Sequence, residues 1–283
     1  MTTSSTFGRR LLPEIGRHGA LILLLGFLLL PVWVMLKTSF TPYDRLYVWP
    51  PEFLPRSLDL GNYARALFGQ YRVVEALGNS LIIAGAAAAI STSFGFLGAY
   101  GLARFRFTGR TALLFLVLAT QMLSPVVIVI PLYEFMIAAG LLDTYLSVIL
   151  CDTALAMPIA IWLLHGFLLG IPRELEEAAM VDGCSRLKSL WHIILPVVRP
   201  GLAMTAIYTF IHAWSDLIFP LVMLTDDGKW PVTLALTRFV GENVIRWDYL
   251  MAAGVVTTLP AAILFALVQK HFTRGLTAGA VKG

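Results

Sequence analysis

Charge is scarce in this sequence. Only 13% of its 283 residues are Asp, Glu, Lys or Arg, about half the share found in soluble domains. A soluble globular protein of this size needs more charge on its surface, and disordered chains and coiled coils need more still, so all three are excluded. A net charge of +4 is too small for a nucleic-acid binder. Cysteine is nearly absent: Cys151 falls in an apolar run and Cys184 in a charged loop, which argues against a disulfide between them. Two cysteines and five scattered histidines, His18, His165, His192, His212 and His271, offer no zinc-ligand spacing. No G-x-x-x-x-G-K-[ST] loop, G-x-S-x-G elbow or H-E-x-x-H helix occurs, which excludes those routes to hydrolysis in this chain.

Apolar side chains are abundant, at 58% of residues, and the mean hydropathy is +0.79. They gather into six runs: Ala20 to Leu36, Leu81 to Ala103, Ala112 to Ile130, Leu146 to Leu169, Leu202 to Leu224 and Ala252 to Val268. Each approaches the roughly 20 residues that cross a bilayer as a helix. The expected fold is therefore an all-α integral membrane protein of six transmembrane helices. The first run is longer than a signal-peptide core and is followed by Lys37-Thr38-Ser39-Phe40, without a small-x-small cleavage pattern, so it reads as a retained span.

Basic residues orient the chain. Thirteen of them, against five acidic residues, lie in the N-terminal segment, the second and fourth connections and the tail; the alternate connections carry eight against ten. By the preference of Lys and Arg for the inner side, both termini are expected in the cytoplasm.

The loop from Gly170 to Pro200 is polar and patterned as two short helices. Pro172 suits a first helical turn, Glu174, Glu176 and Glu177 suit a helix N-terminus, and Gly183 suits a helix stop. Leu187, Leu190, Trp191 and Ile194 then recur on one apolar face, and Pro196 is expected to bar continuation of the helix. Ala178 and Ala179 leave a low surface beside Glu177, suited to a partner's groove.

At these residues the chain resembles a known family. Glu177-Ala178-Ala179, three residues, Gly183, nine residues, Ile193, one residue and Leu195-Pro196 match the EAA loop of permease subunits in binding-protein-dependent ABC importers. Asn79-Ser80-Leu81, Ala99-Tyr100-Gly101-Leu102-Ala103-Arg104 and the tail from Arg274 to Gly283 resemble the maltose and glycerol-3-phosphate-like, carbohydrate-type subgroup. The resemblance runs from about Asn79 to the last residue and so divides the chain into residues 1–78, with an N-terminal segment, one span and an outer loop, and residues 79–283, a five-span core with a 170–200 loop and a 269–283 tail. It implies a type I importer half in a bacterial or archaeal inner membrane. Its partners would be a second permease, two ATPases that bind ATP and Mg, and an extracytoplasmic solute-binding protein. It further implies no cofactor in this chain, a non-catalytic role, and a cytoplasmic coupling helix between spans 4 and 5. Glu177, Ala178, Ala179, Asp182, Gly183, Ile193, Leu195 and Pro196 would form the coupling element, with Thr277, Gly279, Lys282 and Gly283 as a second contact with the ATPase. The solute would be sugar-like: an oligosaccharide, glycoside, polyol or derivative.

Ionisable groups inside spans mark pathways, because lipid cannot solvate them. Asp152 and Asp216, with Gln121 and Trp214, are accordingly the expected pathway residues. The alternative is a stand-alone secondary carrier that uses the same two carboxylates.

Overall fold

The computed structural model of the protein describes residues 5–55, 57–240 and 244–280, with side chains placed between 17 and 267. Among the described residues twelve α-helices follow one another: α1 Ser5–Phe40, α2 Gly61–Phe68, α3 Val73–Arg104, α4 Arg110–Ala119, α5 Pro125–Ala138, α6 Tyr145–Leu169, α7 Glu174–Val181, α8 Arg186–Ser189, α9 Leu195–Trp214, α10 Ile218–Met223, α11 Val232–Leu236 and α12 Trp247–Ala280. Among the described residues, five helical stretches are long and apolar enough to cross a membrane: Arg17–Phe40, Val73–Arg104, Tyr145–Leu169, Arg186–Trp214 and Trp247–Leu267. The all-α membrane fold expected from the apolar runs is the fold found.

Two spans differ from the sequence reading. The third is no straight helix: Arg110–Met122 and Pro125–Ala138 meet at 99°. Ser124, before a proline, is held extended, and Pro125, lacking an amide proton, opens α5 rather than continuing α4. The fifth starts earlier than Leu202 and stops at Trp214 instead of Leu224. It stops there because the Asp216 carboxylate accepts the amides of Ile218 (3.2 Å) and Phe219 (3.1 Å) and starts α10 afresh.

The chain forms two compact units. One comprises residues 1–71 and 239–256. Within it, the Asn62 amide donates to the carbonyls of Ser39 (3.2 Å) and Thr41 (3.0 Å), fastening α2 to the end of α1. Arg246 holds Asp248 through two hydrogen bonds of 3.0 and 2.7 Å and lies over the Tyr249 ring at 3.8 Å.

The other unit comprises residues 72–238 and 257–283, built on α3, α6 and α9. On α6, Val148, Asp152, Ala156, Ala160, Leu164 and Leu168 recur every fourth residue and are all buried. The stripe meets the small residues of α3, where a Cβ on Gly95 would stand 2.9 Å from the Ala160 Cβ, so only glycine lets these helices approach so closely. At the Arg104 end the core closes over Phe96, Tyr100, Leu164, Leu168, Leu190 and Ile194.

At the opposite end, the Asn79 amide donates to the carbonyls of Gly228 (2.9 Å) and Trp230 (3.0 Å), while its oxygen accepts from the Tyr145 hydroxyl (2.8 Å). Asp143 accepts the amides of Thr225 and Asp226, each at 2.9 Å, and the Lys229 ammonium at 2.6 Å. These contacts fasten the 224–232 segment to the ends of α3 and α6.

Candidate functional site

The 170–200 segment is two helices joined by a tight turn. Pro172 precedes the helix rather than entering its first turn, since Arg173 is the N-cap and its carbonyl takes the amides of Glu176 (3.0 Å) and Glu177 (3.1 Å). Helix α7 ends where Gly183 adopts φ +85°, and the amides of Gly183 and Cys184 reach the carbonyls of Met180 (3.1 Å) and Ala179 (2.9 Å). That pair of bonds is a Schellman stop, whose left-handed position disfavours any residue with a Cβ. Ser185 caps α8 by accepting the Lys188 amide at 3.3 Å.

The second helix does not stop at Pro196. A π-helical turn over Leu190–Ile194 lets the Leu195 amide reach the carbonyl of Leu190, five residues back. The widened turn accommodates the proline ring that would clash in a regular α-helix. The four-residue apolar face also divides. Leu190 and Ile194 are buried, whereas Leu187 is 69% exposed and Trp191 lies on the surface, because they occupy the side of the turn away from α3 and α6.

The motif residues sort by exposure. Glu177, Ala178, Asp182, Gly183 and Pro196 face outward, Ile193 and Leu195 are half-buried against the core, and Ala179 is buried. Ala179 therefore anchors α7 and adds nothing to the low surface beside Glu177. That surface is completed by Leu175, Val181, which is 87% exposed, and Leu187: an apolar strip with carboxylates at its edge.

Sequence reasoning missed what holds this element. Glu176, next to the motif, is buried and paired with Arg104 at the end of α3. Its second oxygen accepts from the Tyr100 hydroxyl at 2.9 Å. Arg104 also donates to the carbonyls of Leu168 and Ile171, each at 3.1 Å, at the end of α6. In return Arg173 donates to the Ala103 carbonyl at 2.9 Å, and Arg186 stacks over Phe105 at 5.3 Å. The one signal available in the sequence was an arginine closing an apolar run beside a carboxylate-rich loop.

The four expected pathway residues separate. Asp216 lines a cleft of about 370 Å³ with Pro125, Leu155, Tyr208, Ile211, His212 and Ser215. Gln121 is not among the lining residues, but its amide donates at 2.8 Å to the carbonyl of Leu155, which is. Asp152 and Trp214 are not among the lining residues. Asp152 is fully buried on the α6 stripe, with neither carboxylate oxygen hydrogen-bonded among the described residues. Trp214 is buried, stacks on Phe210 at 5.4 Å and donates to the Thr257 carbonyl at 3.2 Å. In the tail, Thr277 and Gly279 fall within the backbone of α12, and Lys282 and Gly283 lie outside the described residues.

Residues 75–278 match the family model described as the binding-protein-dependent transport system inner membrane component. The inner membrane ABC transporter permease protein YcjP of Escherichia coli K12 is 33% identical over 276 residues, covering 97% of this chain and 99% of that protein. The trehalose/maltose transport system permease protein MalG of Thermococcus litoralis is 35% identical over 267 residues, covering 94% and 95%. Among solved structures, a subunit of a bacterial ABC transporter involved in the import of the acidic polysaccharide alginate superposes with a TM-score of 0.80 at 22% identity. It covers 96% of this chain and 100% of its own, a likeness of fold.

Proposed function

This chain belongs to the family of inner membrane components of binding-protein-dependent transport systems, and on that premise we propose that it is driven by partner ATPases through the 170–200 segment. It is the permease component of a sugar ABC importer, a multi-pass inner membrane protein that transports rather than catalyses. Two ATPases and a second permease complete the machine, with both termini and α7 on the cytoplasmic side and a solute-binding protein outside. The single observation that carries this reading is the exposed strip of Leu175, Glu177, Ala178, Val181 and Leu187 on a helix pair fixed to three spans. A short helix with apolar ridges and an acidic edge fits a groove lined by apolar and basic side chains. Closure of the ATPase pair would then displace α7, and the attached helices would alternate access to the solute.

The cleft beside Asp216 suggests the kind of solute. Tyr208, His212, Ser215 and Asp216 supply hydroxyl, imidazole and carboxylate groups, and no Arg or Lys is among its lining. Such a wall suits the hydroxyls of a neutral sugar or polyol and disfavours an anionic one. A stand-alone carrier gains less support, because the Asp216 carboxylate is engaged by two amides and Asp152 is enclosed by its own bundle.

The test is reconstitution of the full complex in vesicles with its binding protein. Uptake is expected to require ATP inside the vesicle, and Glu177→Ala is expected to abolish both uptake and stimulated ATP hydrolysis while the subunit still reaches the membrane. Uptake by the purified chain alone, or undiminished coupling in that variant, would overturn the reading. Competition by neutral disaccharides and not by uronates or sulfonates is the expected selectivity.

A further inference from the structure

Chain connectivity joins the 170–200 segment to α6 and α9 only. We propose that Arg104 and Glu176 are positioning residues for the coupling step, which make α3 a third carrier of the stroke. The inference rests on the reading of α7 as the element that the ATPases move.

The geometry supports it at three points. Arg104 divides its donors among three acceptors: Glu176 of α7, the Leu168 carbonyl in the last turn of α6 and the Ile171 carbonyl just beyond it, the last two at 3.1 Å each. A planar guanidinium fixes direction as well as distance, so α7 cannot tilt against α3 without breaking the charge-assisted bonds of Glu176 to Arg104 and to the Tyr100 hydroxyl together. Second, the arrangement is reciprocal, because Arg173, one residue before α7, donates to the Ala103 carbonyl of α3 at 2.9 Å. Third, Glu176 and Glu177 are successive residues on one helical turn, one held inward and the other presented outward. Force applied at Glu177 therefore acts one residue from the point where α3 is gripped.

A purely structural pair predicts something different. The side chains of Arg104 and Glu176 are 5% and 10% exposed, and a buried ion pair is a poor source of stability compared with apolar side chains of similar size. What apolar contacts lack is directional constraint. Helix α3 then runs unbroken to Asn79, which is bonded to the carbonyls of Gly228 and Trp230 at 2.9 and 3.0 Å, so a displacement at Arg104 is carried to the 224–232 segment at the other end.

The experiment uses the whole complex in vesicles with its binding protein, and reads solute moved per ATP hydrolysed. Arg104→Lys keeps the charge and loses the fork; Glu176→Gln keeps the shape and loses the charge; Arg104→Leu with Glu176→Leu keeps packing alone. Each is expected to copurify with the ATPases and to lower the transported solute per ATP by about tenfold, the size of a typical coupling energy. An unchanged ratio, whether both rates fall together or neither falls, would overturn the proposal. So would failure of all three variants, Glu176→Gln included, to assemble, since the pair would then serve the fold and not the stroke. Failure of the underlying reading looks different: Glu177→Ala would leave wild-type uptake and hydrolysis intact.

Discussion

Glu176 and Glu177 are neighbours in the chain and face opposite ways: Glu176 is 7% exposed, held by Arg104 and Tyr100, while Glu177 stands on the surface. Truncating the first strands a buried guanidinium, and Glu176→Ala is expected to cost about 3–5 kcal/mol. Glu177→Ala removes an exposed side chain and is expected to change stability by less than about 0.5 kcal/mol while abolishing coupled uptake. Thermal unfolding of the purified complex, set beside vesicle uptake, separates the two.

Gly183 supports a prediction about the turn. Its φ of +85° places a non-glycine residue in the left-handed region, at a cost of about 1–2 kcal/mol. Gly183→Ala is expected to impair ATPase stimulation more than Gly183→Asn, because asparagine tolerates this conformation better. Equal activity of the alanine variant and the wild type would mean that the Schellman stop is dispensable.

The contact between α3 and α6 predicts a rescue. With an added Cβ only 2.9 Å from that of Ala160, Gly95→Ala is expected to destabilise by about 1–3 kcal/mol through overpacking. Ala160→Gly in the same chain should restore most of the loss, and a double-mutant cycle on unfolding temperature measures the coupling.

Acid is expected to release the 224–232 segment. The Asp226 amide and then the Lys229 ammonium hold the Asp143 carboxyl down to about 2, from an ordinary value of 3.8. A lowered native pKa means that this contribution is complete above 3.8 and is lost as the pH falls toward 2. Hydrogen exchange at the amides of Thr225 and Asp226 should rise through that window. Asp143→Asn should show faster exchange at neutral pH and no step.

Much of this was legible beforehand. Apolar runs separated by basic and acidic segments identify the spans, and Gly183 ends its helix as expected because the left-handed stop is a local property of one residue. Where the sequence reading went astray, a neighbour decided. Pro196 was expected to end a helix, but a π-turn five residues wide absorbs it. Ala112 to Ile130 reads as one span, yet Pro125 and its extended predecessor bend it by 99°.

By itself the sequence determined what is encoded within a turn or two of helix: that the apolar runs form helices, that Gly183 stops its helix, and the motif that marks α7. Tertiary structure alone decided that Arg104 meets Glu176 across 72 residues, that Asp152 faces inward while Asp216 faces a cleft, and that Ala179 anchors while Ala178 is presented. The physical reason is that helical periodicity reports that a side chain belongs to a covered face, whereas the identity of the covering group depends on which helix packs there. In a chain so poor in charge, each such pairing fixes how one helix can move against another.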